Sequence, residues 1–309
     1  MTLTASYPKY EAMWPPYHSF PFPDGVPQTP CLVRGGDARF DAWTPGTAPA
    51  LPSWTFVSTR SMNSGKFSVA PGGWFDPGDH PNPEIYFILA GTLHLSNPDV
   101  SDVVTLATGD AALIPAFAYH HGFNFGNEDA VIYWWVPAEM HTDLFKHKVQ
   151  NDQLHELGWY EREPVVLNGP HSSNPGFDSR IDALDRWPVP IAQGEMDMVR
   201  LGPEHWLSFI QGSNPRQAAL VSFFYADEAI RCGHIRLPAY RDTQPESSPW
   251  EKAIYVTRGS FCVALTGTTD VLKAGPDDLI FVPAGVEHSY LTTSSTGAEA
   301  VFALARPVA

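Results

Sequence analysis

Short segments in which apolar and polar residues alternate make up much of the chain, and alternation of this kind is typical of β-strands. In residues 54–137 the segments are separated by turn signals at residues 63–65 (Asn-Ser-Gly), 71–73 (Pro-Gly-Gly) and 77–78 (Pro-Gly). A second series of such segments occupies residues 218–305. The pattern predicts an all-β protein with two strand-rich regions.

The segments outside these two regions have a different character. Residues 1–52 contain ten prolines, which disfavour both a helix and a central strand, so we predict an extended arm laid across the fold or across a neighbouring subunit. Residues 138–157 carry apolar side chains at helical spacing and are the best helix candidate. The predicted domains are an arm (1–52), a first domain (53–137), a helical and loop-rich connection (138–217) and a second domain (218–309).

The second strand-rich region repeats the first. Three residues of the first region recur at one constant spacing, where Gly91, Pro115 and His120 become Gly259, Pro283 and His288. The apolar segment at residues 85–89 recurs at the same spacing as residues 253–257. This spacing, from Gly91 to Gly259, is the repeat offset, and its constancy indicates a duplicated domain.

The composition limits which binding partners and which cellular compartment are expected. A formal net charge of −15 argues against nucleic acid or an anionic membrane as a partner, because both require a basic surface. The sequence has no apolar run of about 18 residues and no secretory signal at its N-terminus, so a cytoplasmic location is expected. The three cysteines lie far apart and form no C-x-x-C pair, which predicts free thiols.

Candidate metal ligands lie in the first strand-rich region. His80 and Glu84 are four residues apart in an alternating segment, so on a strand both side chains point to the same face. Together with His120 they provide two imidazoles and one carboxylate, which leave about three open positions on a six-coordinate ion. This is the 2-His-1-carboxylate arrangement that binds O2 or a chelating substrate.

The spacing of these residues resembles the two motifs of the cupin superfamily, G-x5-H-x-H-x3-E-x6-G and G-x5-P-x-G-x2-H-x3-N. The matching residues are Gly72, His80, Glu84 and Gly91 in the first motif, and Gly109, Pro115, His120 and Asn124 in the second. Two positions differ from the family pattern. Gly78 replaces the first histidine, which reduces the usual four ligands to three, and Phe117 replaces a glycine.

The resemblance implies two tandem double-stranded β-helix (cupin or jelly-roll) barrels joined by a short helical connection. It also implies one divalent metal in the first barrel, with Fe(II) as the expected ion and Mn(II), Ni(II) or Zn(II) as alternatives. In the second barrel the repeat offset places Ser248 and Lys252 at the positions of His80 and Glu84, and a lysine is a cation where a metal site needs an anion. We therefore expect the second barrel to bind no metal and to serve packing and assembly in a homodimer.

Further side chains are candidates for the chemistry and for substrate binding. Tyr86 shares a strand face with Glu84, and either Tyr86 or His121 is a candidate to move a proton. Arg60 is a candidate partner for a substrate carboxylate or phenolate, although a surface ion pair explains it equally well. The remaining candidates for the substrate pocket are Trp74, Phe117, Asn124 and Trp134. An aromatic wall of this kind favours an apolar or aromatic substrate.

Three classes of function are compatible with this ligand set. The first is Fe(II) oxygenase chemistry of the dioxygenase type on a small phenolic or enolic compound. The second is non-redox isomerase, lyase or decarboxylase chemistry, in which a metal such as Zn(II) polarises a carbonyl group. The third is a ligand-binding sensor without turnover. The ligands alone do not separate these classes.

Overall fold

The computed structural model of the 309-residue chain describes residues 20–22, 26–43, 51–78, 82–97, 102–116, 118–137 and 197–307. Within these ranges every regular element is a β-strand except for three short 3-10 turns, and the predicted all-β fold class is confirmed. The helix predicted over residues 138–157 lies outside them. No helix in the described ranges is long and apolar enough to cross a membrane.

The described residues form two compact units, of which the first contains residues 20–22, the described residues between 40 and 137, and residues 197–200. With strands numbered in chain order, its two sheets are built from β2 (Arg39–Trp43), β3 (Leu51–Ser58), β4 (Met62–Val69), β5 (Trp74–Gly78), β6 (Glu84–Ala90), β7 (Thr92–Asn97), β8 (Asp102–Ala107), β9 (Ala111–Ile114), β10 (His120–Phe123), β11 (Ala130–Pro137) and β12 (Val199–Leu201). The sheet orders are β12-β9-β6-β11-β4-β3-β2 and β5-β10-β7-β8.

The second unit contains residues 26–39 and 201–307. Its strands are β1 (Cys31–Val33), β13 (Leu207–Gln211), β14 (Ala219–Ala226), β15 (Ile230–Leu237), β16 (Glu251–Arg258), β17 (Phe261–Leu265), β18 (Val271–Ala274), β19 (Leu279–Val282), β20 (His288–Thr292) and β21 (Ala298–Ala305). The sheet orders are β1-β19-β16-β21-β15-β14-β13 and β18-β17-β20. Each unit is thus a barrel made from one large and one small sheet.

The duplication is visible strand by strand. The repeat offset relates both ends of β3, β4, β9 and β11 to both ends of β14, β15, β19 and β21. A close contact between a glycine and an aromatic ring recurs as well. A Cβ added at Gly65 would lie 2.7 Å from the Trp134 ring, and one added at Gly233 would lie 2.4 Å from the Phe302 ring. Because this packing requires glycine inside a strand, the turn expected at residues 63–65 is instead part of β4.

Each barrel receives one edge strand from a distant part of the sequence. β1 pairs antiparallel with β19, and β12 lies beside β9. Asp110 accepts two hydrogen bonds from the Arg200 guanidinium at 2.9 and 2.7 Å, and Asp278, its counterpart at the repeat offset, accepts one from Arg34 at 2.7 Å. Equivalent carboxylates therefore fix the two added segments, and part of the predicted arm completes a sheet edge, where a proline-rich sequence is tolerated.

The interior of the first barrel is lined by the inner faces of β4, β6 and β11. Trp134 on β11 pairs with Gly65 on β4 and with Tyr86 on β6. Trp134 and Tyr86 belong to one buried apolar cluster together with Phe67 and Ile88. Since side chains alternate along a strand, every second residue of these three strands points into the same interior. Glu84 shares that face.

Candidate metal centre

Glu84 is the first residue of β6 and lies in the interior of the first barrel, where it is buried. The phenol of Tyr86 lies within hydrogen-bonding reach of the Glu84 carboxylate, on the same face of β6. Burial, reinforced by the negative charge and the hydrogen bond of Glu84, raises the pKa of Tyr86 well above its ordinary value. Tyr86 therefore stays protonated near neutral pH and is able to donate to that carboxylate.

His120 faces Glu84 from the second sheet of the same barrel. Its Nδ1 lies 3.0 Å from the carbonyl oxygen of Ala118, and because a carbonyl can only accept, Nδ1 carries the proton. The other nitrogen, Nε2, presents its lone pair 3.6 Å from Glu84 Oε2. A backbone carbonyl that fixes the tautomer in this way is the usual support of a metal-binding histidine.

The distance between His120 and Glu84 fits a shared metal ion. Two ligand atoms that each lie about 2.1 Å from one ion are at most about 4.2 Å apart, and the observed separation is 3.6 Å. The expected third ligand, His80, lies outside the described residues. Among the described residues no group of three or more histidine, cysteine, aspartate or glutamate side chains can hold a metal ion. The structure brings together two of the three candidate ligands, Glu84 and His120.

The wall beside Glu84 and His120 is aromatic. Phe75 lies edge-on to the His120 ring with 6.2 Å between ring centroids, and Phe67 lies edge-on to Phe75 at 5.8 Å and to Tyr86 at 5.5 Å. Gly122 leaves the space for Phe75, because an added Cβ would lie 2.1 Å from its ring. Neither phenylalanine was a candidate from the sequence. The alternation of side chains along a strand puts each of them on the same face as buried neighbours and could have identified them.

Three of the candidates from the sequence lie away from Glu84. Trp74 is 36% exposed and stands on the outer face of β5. His121 stands on the face of β10 opposite to His120 and packs against the Phe123 ring, with 4.0 Å between ring centroids. Arg60 is exposed in the turn between β3 and β4. The structure therefore does not bring these three side chains into the interior of the barrel.

Two of the three remaining candidates lie within the described residues. Trp134 lines the interior and is almost fully buried, while Phe117 lies outside the described residues. Asn124 is buried, and its Nδ2 donates to the carbonyl oxygens of Val69 at 2.7 Å and Glu128 at 2.8 Å. Both amide protons of Asn124 are thus used within the fold, which gives this residue a structural role.

The second barrel has a buried polar network at the corresponding position. Lys252, which aligns with Glu84, is fully buried, and its Nζ donates to Glu246 Oε1 at 2.6 Å and to Tyr290 Oη at 3.2 Å. Tyr290 Oη donates to Glu246 Oε1 at 2.8 Å and lies 3.0 Å from His288 Nε2. The ammonium group of Lys252 therefore supplies the positive charge in this interior.

The carboxylate partner of Lys252 also has a counterpart in the first barrel. Glu246 is the counterpart of Gly78 at the repeat offset, and Gly78 holds the position at which the cupin motif usually has its first histidine. Gly78 pairs with His120 in the first barrel, and Glu246 pairs with His288 in the second. Glu246 was not a candidate from the sequence, although the repeat offset that relates His80 and Glu84 to Ser248 and Lys252 also relates Gly78 to Glu246.

A pH effect on stability is expected from His288. Burial, followed by the charge of Lys252, lowers its pKa to about 3, against the opposing hydrogen bond to Val286. In the unfolded chain His288 binds a proton below about pH 6.5, whereas in the folded protein it does so only near pH 3. The contribution of neutral His288 to the free energy of unfolding is therefore complete above about pH 6.5 and falls by about 1.4 kcal/mol per pH unit as the pH drops toward 3. Urea denaturation at pH 7 and pH 5 should therefore show a loss of about 2 kcal/mol that the His288→Asn variant does not show.

The exposed His205 provides the matched control for this measurement. A His205→Asn variant should keep the full pH dependence of the unmodified protein. An equal pH dependence in the unmodified protein and in His288→Asn would contradict a neutral, buried His288.

The comparisons with known proteins agree with this architecture. Residues 65–136 match the family model described as "Cupin domain", and this segment contains Glu84 and His120. Comparison of the sequence with curated proteins finds no match. The family match and the structural neighbours place this chain among proteins with the cupin fold in two barrels.

Three similar solved structures cover most of the chain at low sequence identity. Streptomyces albus HEPD with 2-hydroxyethylphosphonate and Fe(II) bound is 13% identical, with a TM-score of 0.62 over 91% of this chain and 76% of that chain. AerE from Microcystis aeruginosa is 10% identical, with a TM-score of 0.56 over 87% and 97%. Lactobacillus farciminis oxalate decarboxylase in a formate complex is 11% identical, with a TM-score of 0.58 over 92% and 87%. At such identities the likeness concerns the fold.

Proposed function

We propose that the first barrel is the active site of a metal-dependent oxygenase of the Fe(II) dioxygenase type, acting on a small phenolic or enolic compound. The observation that carries the proposal is the placement of His120 Nε2 3.6 Å from the Glu84 carboxylate, with the histidine tautomer fixed by a backbone carbonyl. His80 is proposed as the third ligand, which would leave open positions for the substrate and O2. The Fe(II)-bound HEPD structure shares this fold and supports a metal-dependent enzyme in general terms.

The side chains around the two ligands have defined roles in this proposal. Tyr86 orients the Glu84 carboxylate through its hydrogen bond, and such supporting contacts raise metal affinity. Phe67 and Phe75 exclude water from the interior and offer flat apolar surfaces to a planar substrate. When bound, Fe(II) supplies the redox chemistry with O2 that no protein side chain of the described site provides.

A non-redox lyase, isomerase or decarboxylase is the second candidate, and Tyr86 is the observation that favours it. Its phenol lies beside the Glu84 carboxylate in the proposed metal centre, so its proton is close to a substrate that is polarised by Zn(II) or Mn(II). The oxalate decarboxylase with a similar fold shows that this architecture is compatible with such chemistry.

The metal dependence of turnover is expected to separate these candidates. Protein reconstituted anaerobically with Fe(II) and then mixed with oxygenated buffer should consume O2 in the presence of catechols or enols, whereas Zn(II) protein should not, because Zn(II) has no redox chemistry. Oxygen-electrode traces and product analysis provide the measurement. Turnover with Zn(II) and no oxygen uptake would transfer the assignment to the non-redox class, and tight binding without product would favour a sensor.

A further inference from the structure

One buried amide in the first barrel has a donor that the described fold does not use. Asn63 on β4 is 3% exposed, and its Nδ2 makes no hydrogen bond within the described residues. Buried donors in folded proteins are almost always paired, because an unmade hydrogen bond in the interior is costly. An unpaired donor at this depth therefore points to a partner other than the described residues.

The direction of this amide follows from the parity of β4. Gly65 and Phe67 have the same parity as Asn63, and both face the interior: the Trp134 ring packs on Gly65, and Phe67 contacts Tyr86 and Phe75. A residue two positions before Gly65 on the same strand points to the same side. Asn63 therefore faces the interior side of the sheet that also carries Glu84.

The strand register places Asn63 at the same end of the barrel as Glu84. Asn63 pairs with Val136 on β11, and Trp135 pairs with Ile85 on β6, so the residue before Ile85, which is Glu84, is level with Val136. Glu84 and Asn63 thus flank β11 on either side. Two strand spacings amount to about 9 to 10 Å, a distance that one small planar molecule can bridge.

The duplicated barrel shows what a different side chain does at this position. Arg231 is the counterpart of Asn63 at the repeat offset and is also buried. Its guanidinium lies over the Trp250 ring at 4.0 Å from the ring centroid, so an aromatic ring covers it within the fold. Trp250 aligns with Asn82 in the first barrel, and an asparagine side chain has no ring with which to cover Asn63.

We propose that Asn63 is a substrate-binding residue whose Nδ2 donates to an oxygen of the substrate, at the end opposite to the oxygens that bind the metal. The proposal rests on the function proposed above and narrows its substrate class to phenolic or enolic compounds with a second acceptor group, such as a carboxylate. A compound such as 3,4-dihydroxybenzoate has this layout, since its hydroxyls and its carboxylate lie at opposite edges of one ring.

The first test concerns stability and needs no substrate. Because Asn63→Leu replaces an unpaired polar group by an apolar group of similar size, its Tm should be unchanged or raised. The matched control is Asn124→Leu, which removes hydrogen bonds to two carbonyl oxygens and should lower Tm by about 5 °C or more. An equally large drop in Asn63→Leu would show that Asn63 has a structural partner and would overturn the inference.

The second test compares two probes on Fe(II)-loaded protein under anaerobic calorimetry. Asn63→Leu should weaken binding of 3,4-dihydroxybenzoate about tenfold or more, while binding of catechol, which lacks the carboxylate, should change by less than about twofold. Asn63→Asp should weaken 3,4-dihydroxybenzoate further through charge repulsion. Equal effects on both probes, or none, would overturn the role of Asn63 but leave the proposed function intact. Failure of the unmodified protein to bind either probe would contradict both.

Discussion

Replacing Lys252 by methionine is expected to destabilise the second barrel by about 3 to 5 kcal/mol. The side chains of Lys252 and Glu246 are 0% and 2% exposed, so the variant would leave the Glu246 carboxylate buried without its cation. Removing one partner of a buried ion pair costs more than the pair contributes, because the remaining charge has lost its solvation. Urea denaturation followed by circular dichroism would measure the loss.

Two further variants show whether the loss comes from the isolated charge. The double variant Lys252→Met/Glu246→Leu should recover most of the stability, since apolar side chains of similar volume often replace a buried pair without cost. Lys273→Met, at an exposed position of the same barrel, should change stability by less than about 0.5 kcal/mol. A cost below about 1 kcal/mol for Lys252→Met, or a double variant no better than the single one, would contradict this account.

Much of the fold could be predicted from the sequence because two periodic signals agree. Alternation of apolar and polar residues specifies strands, and the repeat offset that relates His120 to His288 relates whole strands in the structure as well. The edge strands were harder to predict. β1 follows Pro30 and lies in a proline-rich segment, and its pairing with β19 links residues far apart in sequence, which local patterns do not report.

The candidate site was predictable only in part, for a physical reason. Glu84 and His120 follow from their spacing in the motifs, and the structure brings them together. Asn63 was missed because Asn-Ser-Gly is a common turn sequence, and its place in a strand depends on the Trp134 ring that packs on Gly65 from the neighbouring strand. Motif spacing in the sequence predicts which polar side chains come together, whereas the walls of a pocket depend on long-range packing.

The metal content of the protein is expected to be about one equivalent per chain, held by the first barrel. Glu84→Ala and His120→Ala should each lose most of it, because each removes one of the two ligands that lie 3.6 Å apart. Tyr86→Phe should keep the fold but bind the metal about 10 to 100 times more weakly, since the carboxylate loses its supporting hydrogen bond. Elemental analysis of reconstituted protein and competition with a chelator provide the two measurements.

The controls for this experiment come from the neighbouring face and from the second barrel. His121→Ala should keep the full metal content, because His121 packs against Phe123 on the opposite face of β10 from His120. His288→Ala should keep it as well, since the ammonium of Lys252 would repel a second cation in that interior. Two equivalents in the unmodified protein, or full retention of metal in Glu84→Ala, would contradict a single centre built on Glu84 and His120.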